Sequence, residues 1–370
     1  MNPEKLSLAE IVERSEHLLR LSPADATIVS WIETSSNQAI ESSRTRRAEA
    51  TASRVVVIRV REGRRTGLAR GEASDVGELQ AILRQALVVA RAASISPEWE
   101  WPRGAEEPVP PAAIAELHDA EVAELFPPAA LQRLQGLCDR QSTLRCYWSE
   151  RNLAVAASGR PTRAASATEI SLEARTGRRP GSGFAAASSR SLRGLAIEKL
   201  VARAQALQAT EITEEVPAPT APGVLAPEAA VALLELAARE VFSGRRFVAG
   251  QGPLADPADR RTLSPLVRLI DEPGEALALG FPFDYDGLPK RRRELVRDGE
   301  LAGPVLDLEL AARCGRISTG HGVAGEDAIP GHPQWLAGEE GEDDLLRRSP
   351  GGIRIGSIEN LRCLPGPGLP

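Results

Sequence analysis

Polar side chains able to do chemistry concentrate in residues 271–321 of the sequence. The stretch contains three acidic positions, Asp271, Asp284 and Asp286, and a run of arginines that includes Arg292. Carboxylates beside several guanidinium groups form charge-assisted hydrogen bonds, which most often order loops. The same groups can also contact the backbone or the carboxylate of a substrate. From the residues alone, both roles stay open.

A second polar cluster ends this stretch, in the loop that contains Ser318, Thr319, Gly320 and His321. A serine three residues before a histidine invites the hypothesis of a nucleophile with its base. No third group orients the histidine, and proximity along the chain is not the geometry of a catalytic triad. We therefore expect the loop to line a cavity rather than to carry out catalysis.

Candidate metal ligands lie upstream, on a helix predicted over Pro227–Phe242, where proline suits the first turn. Glu235 and Glu240 could bind a hard ion such as Mg²⁺ or Mn²⁺ through oxygen. At about 100° per residue, however, their side chains differ by roughly 140° in direction. Leu236 cannot accept a proton, and Arg239 is spaced for an i,i+4 ion pair with Glu235. The pattern favours a solvated or interface face over a metal site.

The composition limits the class of protein. The chain has 370 residues, enough for two domains, with 42% hydrophobic and 26% charged residues, as in ordinary globular proteins. A net charge of −6 gives no sign of a nucleic-acid-binding protein, which usually carries a basic surface. The four cysteines lack CxxC spacing, which argues against a thiolate metal cluster or a disulfide framework. Charges interrupt the N-terminal segment, so we expect neither a signal peptide nor a membrane span, and a cytoplasmic location.

The elements predicted in the first half are a helix, a strand hairpin and a second helix. Ser7 and Glu10 form a capping-box pattern at the start of the first helix. The strands are predicted over Ala26–Glu33, Arg54–Arg61 and Arg65–Ala69, the last two joined by a tight turn. The second helix, Val76–Ala93, has its apolar residues on one side: Leu79, Ile82, Leu83, Ala86, Leu87 and Ala90.

A proline-rich connection from Pro97 to Pro111 leads to further elements and then to a linker. These elements are a helix at Pro128–Cys138, strands at Leu144–Trp148, Leu153–Ala157, Thr168–Ala174 and Gly183–Ser189, and a helix at Leu192–Leu207. Strands and helices do not alternate, which favours an α+β fold over a doubly wound parallel sheet. The segment VPAPTAP predicts a semi-rigid linker over 216–222, between domains 1–215 and 223–370.

Beyond the linker, we predict a short strand, the helix at Pro227, a hairpin and a short helix. Asp298-Gly299 lies between strands predicted over Arg293–Arg297 and Glu300–Val305. The short helix is Leu308–Cys314, with Asp307 as N-cap and Gly315 as C-cap.

Two stretches resemble the TldD/PmbA family. Residues 275–322, EALALGFPFDYDGLPKRRRELVRDGELAGPVLDLELAARCGRISTGHG, resemble its C-terminal domain, and residues 58–93, IRVREGRRTGLARGEASDVGELQAILRQALVVARAA, resemble its N-terminal domain. The resemblance implies an α+β N-terminal domain and a β-rich, barrel-like C-terminal domain. It also implies a dimeric zinc peptidase or amide hydrolase in which one subunit carries an HExxxH motif.

This chain departs from the catalytic form of the family. Where those members have HExxxH, this chain has Glu235 and Glu240 at the two histidine positions and Leu236 at the glutamate position. Zinc hydrolysis needs imidazole ligands and a carboxylate that takes a proton from the bound water. Catalytic members also use a cysteine near their C-terminus, and the sequence ends at Pro370 before that segment, with Cys363 no convincing substitute. We therefore expect a shortened C-terminal domain and no zinc in this chain.

The resemblance implies a TldE/PmbA-like subunit that pairs with an HExxxH-bearing, TldD-like subunit, which would hold the zinc. The pair would cleave peptides or peptide-like metabolites in a shared cavity. Candidates for contact with the substrate are Asp271, Asp284 and Asp286, which match the family's acidic positions, and Arg292, Ser318, Thr319 and His321. Two alternatives stay open: a homodimeric hydrolase with an altered metal site, or a binding or scaffold protein. No nucleic-acid or membrane partner is expected.

Overall fold

The computed structural model describes residues 6–41, 44–95, 116–124, 142–177, 182–208, 222–256, 263–274, 279–323, 325–358 and 360–362. Several sequence predictions lie outside these residues. They are the connection Pro97–Pro111, the helix Pro128–Cys138, the linker apart from Pro222, and Cys363. For these segments the predictions stay as predictions, and so does the domain boundary.

The described residues contain both helices and strands. The helices are α1 (Leu8–Leu21), α2 (Val76–Ala92), α3 (Ala120–Glu124), α4 (Ile197–Ala206), α5 (Pro227–Glu240), α6 (Gly244–Val248), α7 (Leu308–Arg313) and α8 (Glu342–Arg348). The strands are β1 (Asp25–Glu41), β2 (Arg44–Glu62), β3 (Arg65–Glu72), β4 (Ser142–Ala157), β5 (Arg163–Thr176), β6 (Gly183–Ser189), β7 (Gly223–Leu225), β8 (Leu269–Asp271), β9 (Arg293–Arg297), β10 (Glu300–Leu301), β11 (Pro333–Trp335) and β12 (Ile353–Ile355).

A six-stranded antiparallel sheet, in the order β3-β2-β1-β4-β5-β6, forms the scaffold of the first half. The predicted hairpin of β2 and β3 is confirmed, with Gly63 at φ 60° in its turn. The capping box of Ser7 and Glu10 also forms at the start of α1. β1 and β4 are longer than predicted, and β4 joins two predicted strands into one. Both run between two neighbouring strands, which satisfy their backbone groups whatever the side chains.

Helices α1, α2 and α4 cover one face of this sheet. The apolar side predicted for α2 is confirmed, because all six of its residues are buried against β-branched side chains such as Ile28 and Ile58. Farther along the face, α4 packs on Leu144 and Leu172. A fully buried side chain of this kind contributes about 1.5–3 kcal/mol, so the helices hold the sheet rigid.

The opposite face of the sheet packs against the second half of the chain. Val29 and Val57 share an apolar cluster with Phe281 and Phe283, both nearly inaccessible to solvent. Beside it, the ring of Tyr285 stacks on Trp31 with centroids 6.0 Å apart. The segment predicted to mark the family therefore sits directly on the sheet.

A second joint between the two halves is ionic. Arg203 of α4 donates to Glu228 of α5 at 3.2 Å and to Glu342 of α8 at 2.8 Å. Glu342 also accepts from Arg354 of β12 at 2.7 Å. The network joins α4 to the helices and the parallel β7–β12 pair of the second half.

The second half combines small sheets with short helices. A four-stranded sheet runs in the order β10-β9-β8-β11, over a core that includes Leu295 and Phe242. Asp298 and Gly299 both have positive φ, 49° and 80°, as a two-residue hairpin turn requires. The predicted strand after this turn shortens to β10, since Pro304 cannot donate to a ladder. The α+β class is confirmed, and among the described residues all three sheets are open, so the barrel-like form expected for the second half is not seen there.

No helix in the described ranges combines the length and the apolar character needed to cross a bilayer.

Candidate functional site

A buried histidine and aspartate form the centre of the predicted site. His321 lies in the loop after α7, and its Nε2 is 2.8 Å from Oδ2 of Asp271, the last residue of β8. Its Nδ1 faces the carbonyl oxygen of Thr319 at 2.8 Å and the hydroxyl of the same residue at 2.9 Å. That hydroxyl donates to the Leu306 carbonyl at 3.0 Å, so Nδ1 must donate. The ring is thus held at both nitrogens, by Asp271 on one side and by Thr319 on the other.

The contact with His321 favours the ionised form of Asp271. Burial disfavours the charged carboxylate, but the hydrogen bond and the charge of His321 outweigh it and lower the pKa of Asp271. The other oxygen of this carboxylate accepts from the backbone N–H of His332 at 2.6 Å. The two residues form a closed ion pair that fixes β8 to the loop.

The same geometry argues against a nucleophile in this loop. His321 is 2% exposed, and its two ring nitrogens contact Asp271 and Thr319 rather than Ser318. The Ser318 hydroxyl instead donates to the Leu306 carbonyl at 3.2 Å and accepts from the Gly320 amide at 3.2 Å. The sequence prediction that no third group orients the histidine is wrong, because Asp271 holds His321, but the hydroxyl of Ser318 bonds to Leu306 and Gly320 and not to the imidazole.

Asp284 orders a tight loop on the sheet. Its Oδ1 accepts from the amides of Asp286 and Leu288 at 2.9 and 2.8 Å, and its Oδ2 accepts from the Gly322 amide at 2.8 Å. Burial and the neighbouring charge of Asp286 raise the pKa of Asp284 to about 8. Glycine is needed at 322, because a Cβ there would lie 2.7 Å from Asp286 Oδ2. This carboxyl group therefore determines the shape of the loop.

Asp286 connects the loop to both halves of the molecule. Its carboxylate pairs with Arg59 of β2, and its backbone carbonyl accepts from Arg160. Its second carboxylate oxygen accepts from the Leu308 amide, at the start of α7, at 3.1 Å. Asp307, the predicted N-cap of α7, is confirmed by its 2.7 Å bond from the Leu310 amide. Burial and the charge of Asp286 raise the pKa of Asp307 to about 6.

A cleft of about 570 Å³ opens beside this network. Its cationic wall is the run Arg291–Arg293, and the side chains of Leu288, Leu308 and Ile317 add apolar surface. Of the predicted substrate-contact residues, the structure places Arg292, Ser318 and Thr319 in the lining. Asp271, Asp284, Asp286 and His321 are buried and do not line it. Their position supports the loop-ordering role that the sequence left open.

The helix with the altered metal motif does not fit zinc. Glu235 on α5 is exposed, and Glu240 lies 3.3 Å from Nη1 of Arg246. Leu236 stands between them and offers no lone pair. Val231 of α5 is 50% exposed, and the buried residues of this helix are Ala229, Leu234 and Ala238. Within the described ranges, no three His, Cys, Asp or Glu side chains converge as metal ligands.

Two charged residues of the site were not predicted. Arg59 lies 227 positions before its partner Asp286, and no local pattern connects them. Lys290 is half-buried next to the network, where burial lowers its pKa while Asp284 and Asp271 oppose the shift. A signal for Lys290 was available, since an otherwise arginine-rich chain has lysine only here, at Lys5 and at Lys199.

Comparison with known proteins agrees with this architecture. Residues 219–363 match the model of the PmbA/TldA metallopeptidase C-terminal domain. TldE from Thermococcus kodakarensis has a TM-score of 0.74 at 22% identity, covering 94% of this chain and 83% of that chain. No curated protein sequence matches significantly.

Two further solved structures share the fold, and both are described as candidate modulators of DNA gyrase. The protein from Bacteroides thetaiotaomicron has a TM-score of 0.77 at 17% identity, covering 94% of this chain and 81% of that chain. The protein from Thermotoga maritima has a TM-score of 0.72 at 17% identity, covering 96% and 83%.

Proposed function

We propose that the chain is a TldE-like subunit of the TldD/PmbA family of metallopeptidases, without its own zinc site, because residues 219–363 match that family's C-terminal domain and the fold is that of TldE. In this proposal it assembles in the cytoplasm with a TldD-like subunit that carries HExxxH and the zinc. The two subunits enclose a cavity in which peptides or peptide-like metabolites are hydrolysed. This chain forms part of the cavity wall and contributes positive charge to it.

The observation that carries the proposal is the state of α5. Hydrolysis by zinc requires neutral imidazole ligands and a carboxylate that takes a proton from the bound water. The glutamate position holds Leu236, and the two histidine positions hold Glu235, which faces solvent, and Glu240, which pairs with Arg246. None of the three side chains can perform the family's metal chemistry.

What this chain contributes is a wall of the cavity rather than a catalyst. The cleft beside Arg291–Arg293 is open and cationic, and its floor is held in place by the bonds of Asp284 and Asp286. A rigid wall of this kind suits an extended peptide, which commonly binds by adding a strand to a sheet edge. The substrate would then gain orientation from this subunit and chemistry from its partner.

Three measurements on the purified chain and its host test the assignment. We expect less than stoichiometric zinc by elemental analysis, no amidase activity alone, and recovery of an HExxxH protein when the tagged chain is pulled down. Adding that protein should restore peptide hydrolysis. A partner whose HExxxH glutamate is replaced by glutamine is the matched control, because it keeps the complex but removes the base.

Different outcomes separate the alternatives. Stoichiometric metal together with amidase activity in the chain alone would mean a homodimeric hydrolase with an altered metal site. A stable complex that hydrolyses nothing, or a chain that recovers no HExxxH protein, would favour a binding or scaffold role.

A further inference from the structure

Arg293 is a cation of the cleft wall whose charge no carboxylate of the described residues neutralises. It begins β9 and lines the cleft, and within the described ranges its side chain makes neither an ion pair nor a hydrogen bond. Its Nε is fully buried without a hydrogen-bond partner among those residues. By contrast, Arg292 beside it lies 3.4 Å from Glu272, and Arg297 farther along β9 pairs with Glu294. A buried guanidinium nitrogen without an acceptor is costly, and it points to a ligand.

A second guanidinium converges on the same place. A Cβ added to Gly303 would lie 3.3 Å from Nη2 of Arg293 and 3.7 Å from Nη1 of Arg316, so both heads border one glycine. Arg316 is held there with its Cζ 4.9 Å from the ring centre of Phe247. Burial and the like charge of Arg316 together lower the pKa of Arg293. Two cations held together repel each other unless an anion lies between them.

We infer that Arg293 and Arg316 form a binding site for a carboxylate group of a peptide lying in the cleft. Guanidinium groups present paired N–H donors that match the two oxygens of a carboxylate. The cleft volume of about 570 Å³ suits a short chain segment rather than a folded domain. Apolar side chains of Leu288, Leu308 and Ile317 line the rest and would contact the peptide's own side chains.

Phosphate groups fit the cleft less well than carboxylates. Phosphate sites commonly use several free backbone N–H groups, as in anion-binding nests. Here the Thr319 amide donates to the Leu306 carbonyl at 2.9 Å, and the Gly320 amide donates to the Ser318 hydroxyl. That the ligand is a peptide rests on the proposed function. That it carries a carboxylate is inferred from the two arginines alone.

Binding of labelled peptides to the isolated full chain tests the site. The probes are three short alanine-rich peptides measured by fluorescence anisotropy: one with a free α-carboxylate, one capped as an amide, and one capped but containing a glutamate. We expect the capped peptide to bind about tenfold more weakly than at least one of the others, as loss of a charge-assisted hydrogen bond predicts. The first and third peptides distinguish the C-terminal carboxylate from an acidic side chain.

Matched variants connect the preference to the arginines. Arg293→Gln should abolish the difference between carboxylate and amide peptides, and Arg293→Lys should retain only part of it, since lysine lacks the planar fork. Arg297→Gln removes the same charge from the same strand outside the cleft and should leave the preference unchanged. If Arg293→Gln fails to fold by circular dichroism, Arg316→Gln is the replacement, because Arg316 is exposed.

Clear results would overturn the inference. These are equal binding of all three peptides, no binding of any, a preference that survives Arg293→Gln or its replacement, or stronger binding of inorganic phosphate in competition. Because the measurement uses the chain alone, its failure leaves the pull-down result unaffected. In the same way, a failed pull-down leaves a measured carboxylate preference standing.

Discussion

At the scale of single residues, the site depends on charges that are stable only in pairs. The imidazole of His321 and the carboxylate of Asp271 are both buried, and each is the other's hydrogen-bond partner. Removing one partner of such a pair leaves an uncompensated charge, which costs more than the intact pair contributes.

Replacement of His321 should therefore be strongly destabilising. We expect His321→Ala to lower the free energy of unfolding by about 3–5 kcal/mol, since the buried carboxylate of Asp271 loses its partner inside the protein. Urea unfolding followed by circular dichroism measures the change. The control is His17→Ala on the exposed side of α1, where a change within about 0.5 kcal/mol is expected. Equal effects of the two substitutions would contradict a stabilising contact between the buried side chains of His321 and Asp271.

Asp284 makes the free energy of unfolding depend on pH, and the sign of that dependence follows from its pKa shift. Its pKa rises from 3.8 to about 8 on folding, so the folded state holds a proton that the unfolded chain releases. The stability from this group is complete below pH 3.8 and is lost as the pH rises through about 8. We expect Asp284→Asn, which stays neutral, to flatten the fall in unfolding free energy between these limits.

The comparison must be between variants, because other groups titrate too. Asp307 contributes in the same direction and Asp271 in the opposite one, so only the difference from the parent protein isolates Asp284. Asp343→Asn, at an exposed position of α8, is the control and should leave the pH profile unchanged. An unchanged slope in Asp284→Asn would show that this carboxyl group is ionised in the folded protein.

At the scale of elements, close approach between a helix and a strand depends on one glycine. A Cβ on Gly67 of β3 would lie 2.2 Å from the carbonyl oxygen of Ala86 and 2.2 Å from the amide nitrogen of Ala90. Both are backbone atoms of α2 and cannot move separately from the helix. The distance between α2 and the sheet is therefore set by the missing side chain.

Gly67→Ala should push α2 away from the sheet. We expect a loss of about 1–3 kcal/mol in unfolding free energy, the usual cost of overpacking. Thermal unfolding of this variant is to be compared with Gly338→Ala, where an added Cβ meets nothing within 4 Å. A Gly67→Ala protein as stable as this control would mean that the helix shifts without cost.

The elements differ in how far the sequence could predict them. Every buried residue of α2 follows from helical periodicity, because the helix needs only its own pattern and one apolar surface. The polar end of β1 gave no such pattern, yet Ser36 and Gln38 are buried in it, since neighbours on both sides pair with its backbone. Strand length is thus decided by distant partners, which a local pattern does not contain.

The candidate site shows the same limit. The acidic positions and the loop at Ser318 are marked by their residue types, and the structure brings them into one region. Their residue types do not show whether these side chains line the cleft or lie beneath it. That depends on contacts with the distant sheet, such as the pairing of Asp286 with Arg59. The sequence also did not predict that Arg293 and Arg316 lie close together, because the hairpin and α7 separate them along the chain.

At the scale of the whole molecule, aromatic packing is one of the contacts that hold the sheet and the second half together. Phe283 is 1% exposed in the cluster with Val29 and Val57, and Arg190 donates to the Gly280 carbonyl at 2.7 Å nearby. The cleft floor is attached to the same segment. Its geometry therefore depends on this joint.

Loss of the Phe283 ring should loosen the joint. We expect Phe283→Ala to cost about 3–5 kcal/mol and to speed cleavage of the second half in limited proteolysis. Leu266→Ala, at a side chain 90% exposed, is the control and should change neither. If both halves of Phe283→Ala stay as resistant as the parent, the ionic network around Arg203 would be the stronger joint.

The packing of Phe281 and Phe283 on the sheet also has a consequence for synthesis of the chain. The valines and leucines of that sheet face are made well before their aromatic cover, which lies more than a hundred residues downstream of β5. At about 5–20 residues per second, the ribosome leaves this apolar face uncovered for on the order of ten seconds. During that interval the nascent first half exposes an apolar surface. A chaperone that binds this surface would protect it from aggregation with a neighbouring nascent chain.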